Sequence, residues 1–301
     1  MTLTTADLER ADRVTYRLSQ TFDYVYDAPI GALSHRLRVV PPPRHGPSAL
    51  VSSRLTVDGA QVRRRRWRDR AGNTVVQVDA DRVDEHVRFE LSATVTRDRS
   101  AGPLLLDGAA VRSARYLRPT RLTAPSESLV ALAGSSSPAV PGQAAGTWAR
   151  ATGLDLAEQL CATTNAALTY EYGITGVRTT ADEAVSLGRG VCQDSAHIML
   201  ALCRIRGLAA RYVSGHLVGQ GGTHAWVEVV VPAHPAHPAQ EARYAEAVAF
   251  DPCNGRRAGA GYLTISTGRD YADVPPTSGY YEGTASGHLT TTRHLEVIEA
   301  A

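Results

Sequence analysis

The sequence predicts an α+β fold. An N-terminal antiparallel β-sandwich precedes a core in which one helix packs on an antiparallel sheet. Short period-two segments recur at close spacing between residues 13 and 100, as they do in sandwiches. After residue 150, helical runs come before three strand-like runs, and a helix followed by a meander is an α+β order. With 301 residues, 43% of them hydrophobic and 21% charged, the chain can bury two cores. The expected division is a sandwich over 1–120, a connection over 121–150, and a core with a C-terminal strand over 151–301.

Val14–Leu18 and Phe22–Tyr26 alternate apolar and polar residues. Leu33–Val40 ends at Pro41-Pro42-Pro43, which cannot continue a ladder. Arg54–Val57 runs into Asp58-Gly59, a hairpin signal. Val62–Trp67, Thr74–Val78, Glu85–Leu91 and Ala93–Thr96 complete the expected strands. Residues 101–150 are rich in Pro and Ser and read as a connection with short helical turns. Leu154–Leu168 has helical periodicity, and Tyr170 to Gly176 reads as a loop. Thr180-Ala181-Asp182-Glu183 is a capping-box start. A helix then runs from Cys192 to near Gly207. Ala210–His216, Thr223–Val231 and Tyr244–Asp251 are the strands of the meander.

The net charge of +2 gives no global field that would favour nucleic acid or an anionic membrane, and neither is an expected partner. All 32 basic residues are arginine, which reads as codon composition. In Arg63-Arg64-Arg65-Arg66-Trp67-Arg68 a strand sends alternate guanidinium groups to opposite faces, so the run is no single patch. Asp79, Asp81, Asp84 and Glu85 are placed to face it, and it reads as a solvated strand. Met1–Leu18 lacks the apolar stretch of a signal peptide, and no run approaches the ~20 residues of a membrane span, so a cytoplasmic location is expected. Cys161, Cys192, Cys203 and Cys253 match no zinc spacing and should be reduced thiols. His234 and His237 lie in a Pro-rich loop without a third ligand and read as loop residues. No metal and no cofactor is expected.

The chemistry concentrates at Gly190-Val191-Cys192-Gln193-Asp194-Ser195-Ala196-His197. A Gly-Arg-Gly turn precedes Cys192 and an apolar helical run follows it. This places a thiol on the first turn of a buried helix, where free N–H groups and the dipole favour a thiolate. His224 begins one strand of the meander and Asp251 ends another. Cysteine, histidine and aspartate can serve as nucleophile, base and orienter. The Cys192 N–H is a natural oxyanion donor. A second donor is not evident from sequence, with Tyr170, Tyr172 and Gln193 as candidates. His197, one turn beyond Cys192, reads as a structural hydrogen-bonding histidine.

Arg178–Ala184, Gly188–Asp194, Ala210–Gly215, Thr223–Glu228 and Gly268–Pro276 together resemble the bacterial transglutaminase-like superfamily. Tyr16 to Asn73 is similar to that family's N-terminal β region. The resemblance implies a papain-like core with a Cys-His-Asp triad, which maps onto Cys192, His224 and Asp251. It implies Trp226 and Tyr212 as walls of the site. Asp251-Pro252-Cys253-Asn254 departs from the family's usual Asp-Pro-Thr-Asn, and the family's Trp before this strand end is absent. Cys253 reads as a small buried residue in place of Thr.

The expected function is therefore acyl transfer at an amide through a thioester. Hydrolysis of a peptide or amide substrate is favoured, with an amine acceptor as the alternative. A triad-bearing fold that only binds is a reading of another class. Substrate-binding candidates are Trp226, Tyr212, Tyr170 and Gln193. The oligomeric state is open.

Overall fold

The computed structural model describes residues 4–135, 149–234 and 243–301. A capped helix α1 (Thr5–Arg10) leads into the strands β1 (Arg13–Tyr26), β2 (Leu33–Leu37), β3 (Arg44–His45), β4 (Ser48–Asp58), β5 (Arg63–Arg68), β6 (Thr74–Ala80) and β7 (His86–Asp98). After β8 (Leu105–Asp107) come the helices α2 (Ala114–Leu117), α3 (Glu127–Ser135) and α4 (Arg150–Ala167). Strand β9 (Thr169–Tyr170), helix α5 (Ala181–Leu187) and strand β10 (Arg189–Gly190) precede the long helix α6 (Cys192–Ile205). Seven strands complete the chain: β11 (Ala210–Leu217), β12 (His224–Pro232), β13 (Tyr244–Asp251), β14 (Arg256–Arg257), β15 (Tyr262–Gly268), β16 (Thr277–Tyr281) and β17 (Gly287–Ala300).

The predicted α+β class holds. Two antiparallel sheets, β17-β1-β7-β4-β3 and β16-β2-β6-β5, enclose one shared apolar cluster. Alternation builds that cluster: Val14, Tyr16, Leu18 and Phe22 of β1 point inward toward Leu33, Leu37, Val76 and Val78 of the facing sheet. Arg63–Arg68 forms an exposed edge strand, and Arg63 grips Asp81 through two bonds of 2.8 Å.

The second core is a sheet ordered β14-β13-β12-β11-β15 with α6 on one face. On β12 the residues Ala225, Val227, Val229 and Val231 pack toward α6, while Trp226 joins a cluster with Val213, Leu217 and Tyr262. Helix α6 is buried almost all round, as its continuous apolar run requires.

The expected boundaries at 120 and 151 cut across two pairings. Strand β8 pairs with β13 in the core sheet, and Leu106, Tyr116 and Leu117 pack on Ala209, Val230 and Ala245. Strand β17 returns to the sandwich and pairs with β1 from Val14↔Ala300 to Tyr26↔Gly287. Three residues are too few to display alternation, and the Thr-rich β17 carries little apolar signal.

Polar junctions bind the halves. His45 Nε2 lies 2.6 Å from Glu228 Oε1, while Arg211 donates to the other oxygen of Glu228 at 2.6 and 2.7 Å. Tyr16 donates its hydroxyl to the Ala260 carbonyl. Asn73 exchanges two 2.8 Å bonds with the Thr267 backbone. No described helix is long and apolar enough to cross a membrane. His234 is exposed; His237 and residues 136–148 of the expected connection lie outside the described residues.

Deleting Gly287–Ala301 should leave β1 as an unpaired edge and uncover the sandwich core. The expected cost is several kcal/mol, seen as a fall in melting temperature of about 10 °C or more. Unchanged melting would show that β17 is dispensable.

Candidate active site

Helix α6 starts abruptly, and its first turn explains why. The carboxylate of Asp194 turns back to accept from the Val191 N–H at 2.8 Å and from the Thr175 hydroxyl at 2.6 Å. This closes the helix N-terminus with an acidic side chain, favourably placed on the dipole. A Cβ on Gly190 would lie 2.6 Å from Asp194 Oδ2, so only glycine lets the capping carboxylate approach. Burial pushes the Asp194 carboxyl up, against the pull of Thr175 and the Val191 backbone. Cys192 then occupies the first helical position, half-buried, with Sγ 4.0 Å from the Thr223 carbonyl oxygen.

His224 opens β12 and Asp251 closes β13. His224 Nε2 lies 2.7 Å from Asp251 Oδ2, and its ring is also within hydrogen-bond reach of the Cys192 side chain. With Nε2 on the carboxylate, Nδ1 is the atom left for sulfur. Asp251 has no exposed surface. Its Oδ2 also accepts from Asn254 Nδ2 at 2.6 Å and the Tyr262 hydroxyl at 2.7 Å, while Oδ1 accepts the N–H groups of Cys253 and Asn254 at 3.0 and 3.2 Å. Burial alone would raise this carboxyl, but its donors, His224 first, hold it below the usual range. For His224, burial pulls the imidazole down, yet the bonds to Asp251 and Cys192 outweigh it and raise it to about 9.

Sequence reasoning thus names three side chains that the fold brings together. Asn254 stands inside the quoted Asp-Pro-Cys-Asn segment but was not singled out. Tyr262 had no local signal, since its contribution comes from pairing β15 against β11.

The other predicted residues fall in different places. Trp226 is buried and stacks on His224 with centroids 6.2 Å apart, and Tyr262 meets it edge-on at 5.4 Å. A Cβ on Gly215 would meet Trp226 at 2.4 Å, so that glycine admits the indole. Tyr212 is buried beneath the nucleophile; burial, then the nearby Cys192, pushes its hydroxyl well up. Tyr170 is 62% exposed and senses both Cys192 and Cys253. The Gln193 amide donates to the Gly176 carbonyl at 3.1 Å, which ties down the loop after β9. His197 is fully buried and accepts the Tyr271 N–H at 3.2 Å through Nε2. Burial holds it neutral, at about 4. Cys253 is half-buried and bonds to Ser195, and burial raises its thiol to about 12.

Comparison with known proteins identifies the family and the fold. Residues 144–246 match the transglutaminase-like superfamily, and residues 16–96 match the bacterial transglutaminase-like N-terminal region. The chain belongs to the transglutaminase-like superfamily. An uncharacterized protein of Mycobacterium leprae is 28% identical over 297 residues, covering 91% of this chain and 95% of its own. An uncharacterized protein of Mycobacterium tuberculosis is 38% identical over 122 residues, and that match spans 37% of each chain. Among solved structures, a candidate cysteine protease from Cytophaga hutchinsonii superposes with a TM-score of 0.71 at 18% identity, over 96% of this chain and 92% of that one. This likeness establishes the shared fold.

The raised His224 makes a signed pH prediction. Its ordinary value is 6.5 and its folded value about 9, so its contribution to stability is complete below about 6.5 and lost as pH rises through 9. Asp251→Asn removes the carboxylate charge, and burial should then draw the imidazole down. An NMR titration of His224 is expected to show a midpoint lower by a unit or more, about 1.4 kcal/mol of lost interaction. An unmoved midpoint would remove Asp251 as the cause.

Proposed function

We propose that this protein is a cysteine enzyme that attacks a peptide or amide carbonyl and passes through a thioester. The observation that carries this reading is the placement of His224 between the Asp251 carboxylate, at 2.7 Å, and the Cys192 thiol at a helix N-terminus. An imidazole held protonated to about pH 9 beside a sulfur suits a thiolate–imidazolium pair.

In the reaction, Cys192 sulfur bonds to the substrate carbonyl carbon and the carbonyl electron pair moves onto oxygen. The Cys192 N–H lies on the first turn of α6, where intrahelical acceptors are lacking, and supports that oxyanion. As the intermediate collapses, His224 gives its proton to the departing amine and the thioester remains. Neutral His224 then takes a proton from water, whose oxygen displaces sulfur and releases the acid. Asp251 keeps the ring oriented through both steps and stays ionised throughout.

Openness to solvent favours water as the acceptor. Cys192 is half-buried, and Tyr170, Tyr172 and Val177 beside the first turn of α6 are all exposed. An amine acceptor would need water kept out. The same exposed apolar side chains suit a polypeptide substrate. The four cysteines are unpaired, which fits a reducing compartment, and we place the reaction in the cytoplasm.

Cys192→Ala should abolish turnover of a peptide amide while leaving the melting curve unchanged. Near-wild-type turnover would overturn the mechanism. Iodoacetamide near neutral pH should label Cys192 far faster than Cys161 or Cys203, whose thiols burial raises to about 12. Equal labelling of all three would support a protein that binds without turnover. Product mass, with and without added amine, distinguishes hydrolysis from amide transfer.

A further inference from the structure

A cleft of about 730 Å³ lies between the sandwich and the core, well away from Cys192. Five arginines line it: Arg38, Arg70, Arg115, Arg118 and Arg269. Two carboxylates share it, and both are already engaged. Asp69 accepts from the Ala71 and Asn73 backbones, from the Asn73 amide, and from Arg38 at 3.4 Å. Asp273 takes two 2.9 Å bonds from Arg269. Among the described residues, the side chains of Arg70, Arg115 and Arg118 make no hydrogen bond or ion pair within 4 Å, and the Arg115 charge also acts on Asp273. The arginine run of β5 ends just before the turn that supplies Asp69 and Arg70, and none of Arg63–Arg68 lines the cleft.

Three free guanidinium groups on facing walls select an anion. Their planar forks match carboxylates in paired hydrogen bonds. No aromatic side chain is among the described residues that line the cleft, so it offers no platform for stacking bases. The chain's net charge of +2 supplies no wider field for a phosphate backbone. Clustered carboxylates on a polypeptide fit better than nucleic acid.

The cleft is also anchored to the helix of the nucleophile. Near the end of α6, the buried Arg204 donates to the carbonyl oxygens of Tyr116 and Arg269, next to Arg115 on one wall and on Arg269 itself. Twelve helical residues from Cys192 to Arg204 span about 18 Å. An extended peptide covers that distance in about six residues.

We propose that this cleft docks an acidic segment of a polypeptide substrate, at least about six residues from the bond presented to Cys192. The substrate assignment rests on the reading of Cys192 as nucleophile; binding of the acidic segment does not.

The test is fluorescence anisotropy of a labelled hexaglutamate peptide with the full chain. Binding is expected at low ionic strength and should weaken as salt rises. Arg115→Gln/Arg118→Gln should weaken it about tenfold or more, and Arg70→Gln, on an exposed turn, should weaken it several-fold. Arg65→Gln/Arg66→Gln on β5 should bind as wild type does. Each variant is checked by its melting curve; if the double variant unfolds, Arg70→Gln decides. No binding, or equal binding by wild type and Arg70→Gln, overturns the cleft as the site. Tighter binding of an oligonucleotide of equal charge overturns the choice of carboxylate. Because anisotropy needs no turnover, an inactive enzyme leaves this result standing. If hexaglutamate binds but an acidic stretch placed about six residues from the cleaved bond does not lower KM, the substrate clause alone falls.

Discussion

A buried carboxylate is costly, and Asp251 is fully buried. Its place is maintained by five donors: two backbone N–H groups, an amide, a phenol and an imidazole. Three of these come from the turn after β13 and one from β15, and the fifth is His224. Removing any of them takes a donor from a carboxylate that water does not reach. The His224–Asp251 pair of the proposed triad is therefore set by a hydrogen-bond network belonging to the sheet. The imidazole is one member of that network, which explains how a buried ring is raised to about 9 against the pull of its own burial.

The same logic operates at the nucleophile. Asp194 caps α6, Gly190 makes room for it, and Thr175 and Gln193 fasten the loop after β9 to the first helical turn. Cys192 is thus fixed from both sides: a rigid helix runs behind it and an anchored loop stands in front. The site needs two independent supports, a capped helix and a sheet edge, held at one distance. Packing of Ala225, Val227 and Val229 beneath α6 sets that distance.

How much of this could be read from sequence depends on how local each cause is. Capping and periodicity are local, so α5, α6 and the three strands of the meander were legible nearly to their ends. The triad residues were legible because each begins or ends such an element. Tyr262 was not, because its value to Asp251 arises from pairing β15 with β11 across distant sequence. The Gln193 side chain, read as facing the substrate, instead serves the adjacent loop, a choice that sequence spacing cannot express. A C-terminal strand was expected, but its return to the sandwich was not legible: the Thr and charged residues of β17 sit half-exposed, so its partner β1 carries most of the apolar pattern for both.

That return of β17 changes what the sandwich is for. Strands β16 and β17, which follow the core in sequence, complete the sheets that precede it, so the sandwich is not a contiguous piece of chain. Glu228 sits on the same strand as His224 and Trp226 and is clamped by Arg211 within its own sheet and by His45 from the sandwich. Burial opposes this charge, but Arg211 first and then His45 hold the carboxyl down at about 2. The back of the His224 strand is thus braced against the sandwich by a buried polar cluster, a kind of contact that fixes alignment more than it adds stability. The sandwich accordingly serves as a rigid backing for β12, and the cleft that carries the free arginines is a consequence of the same junction.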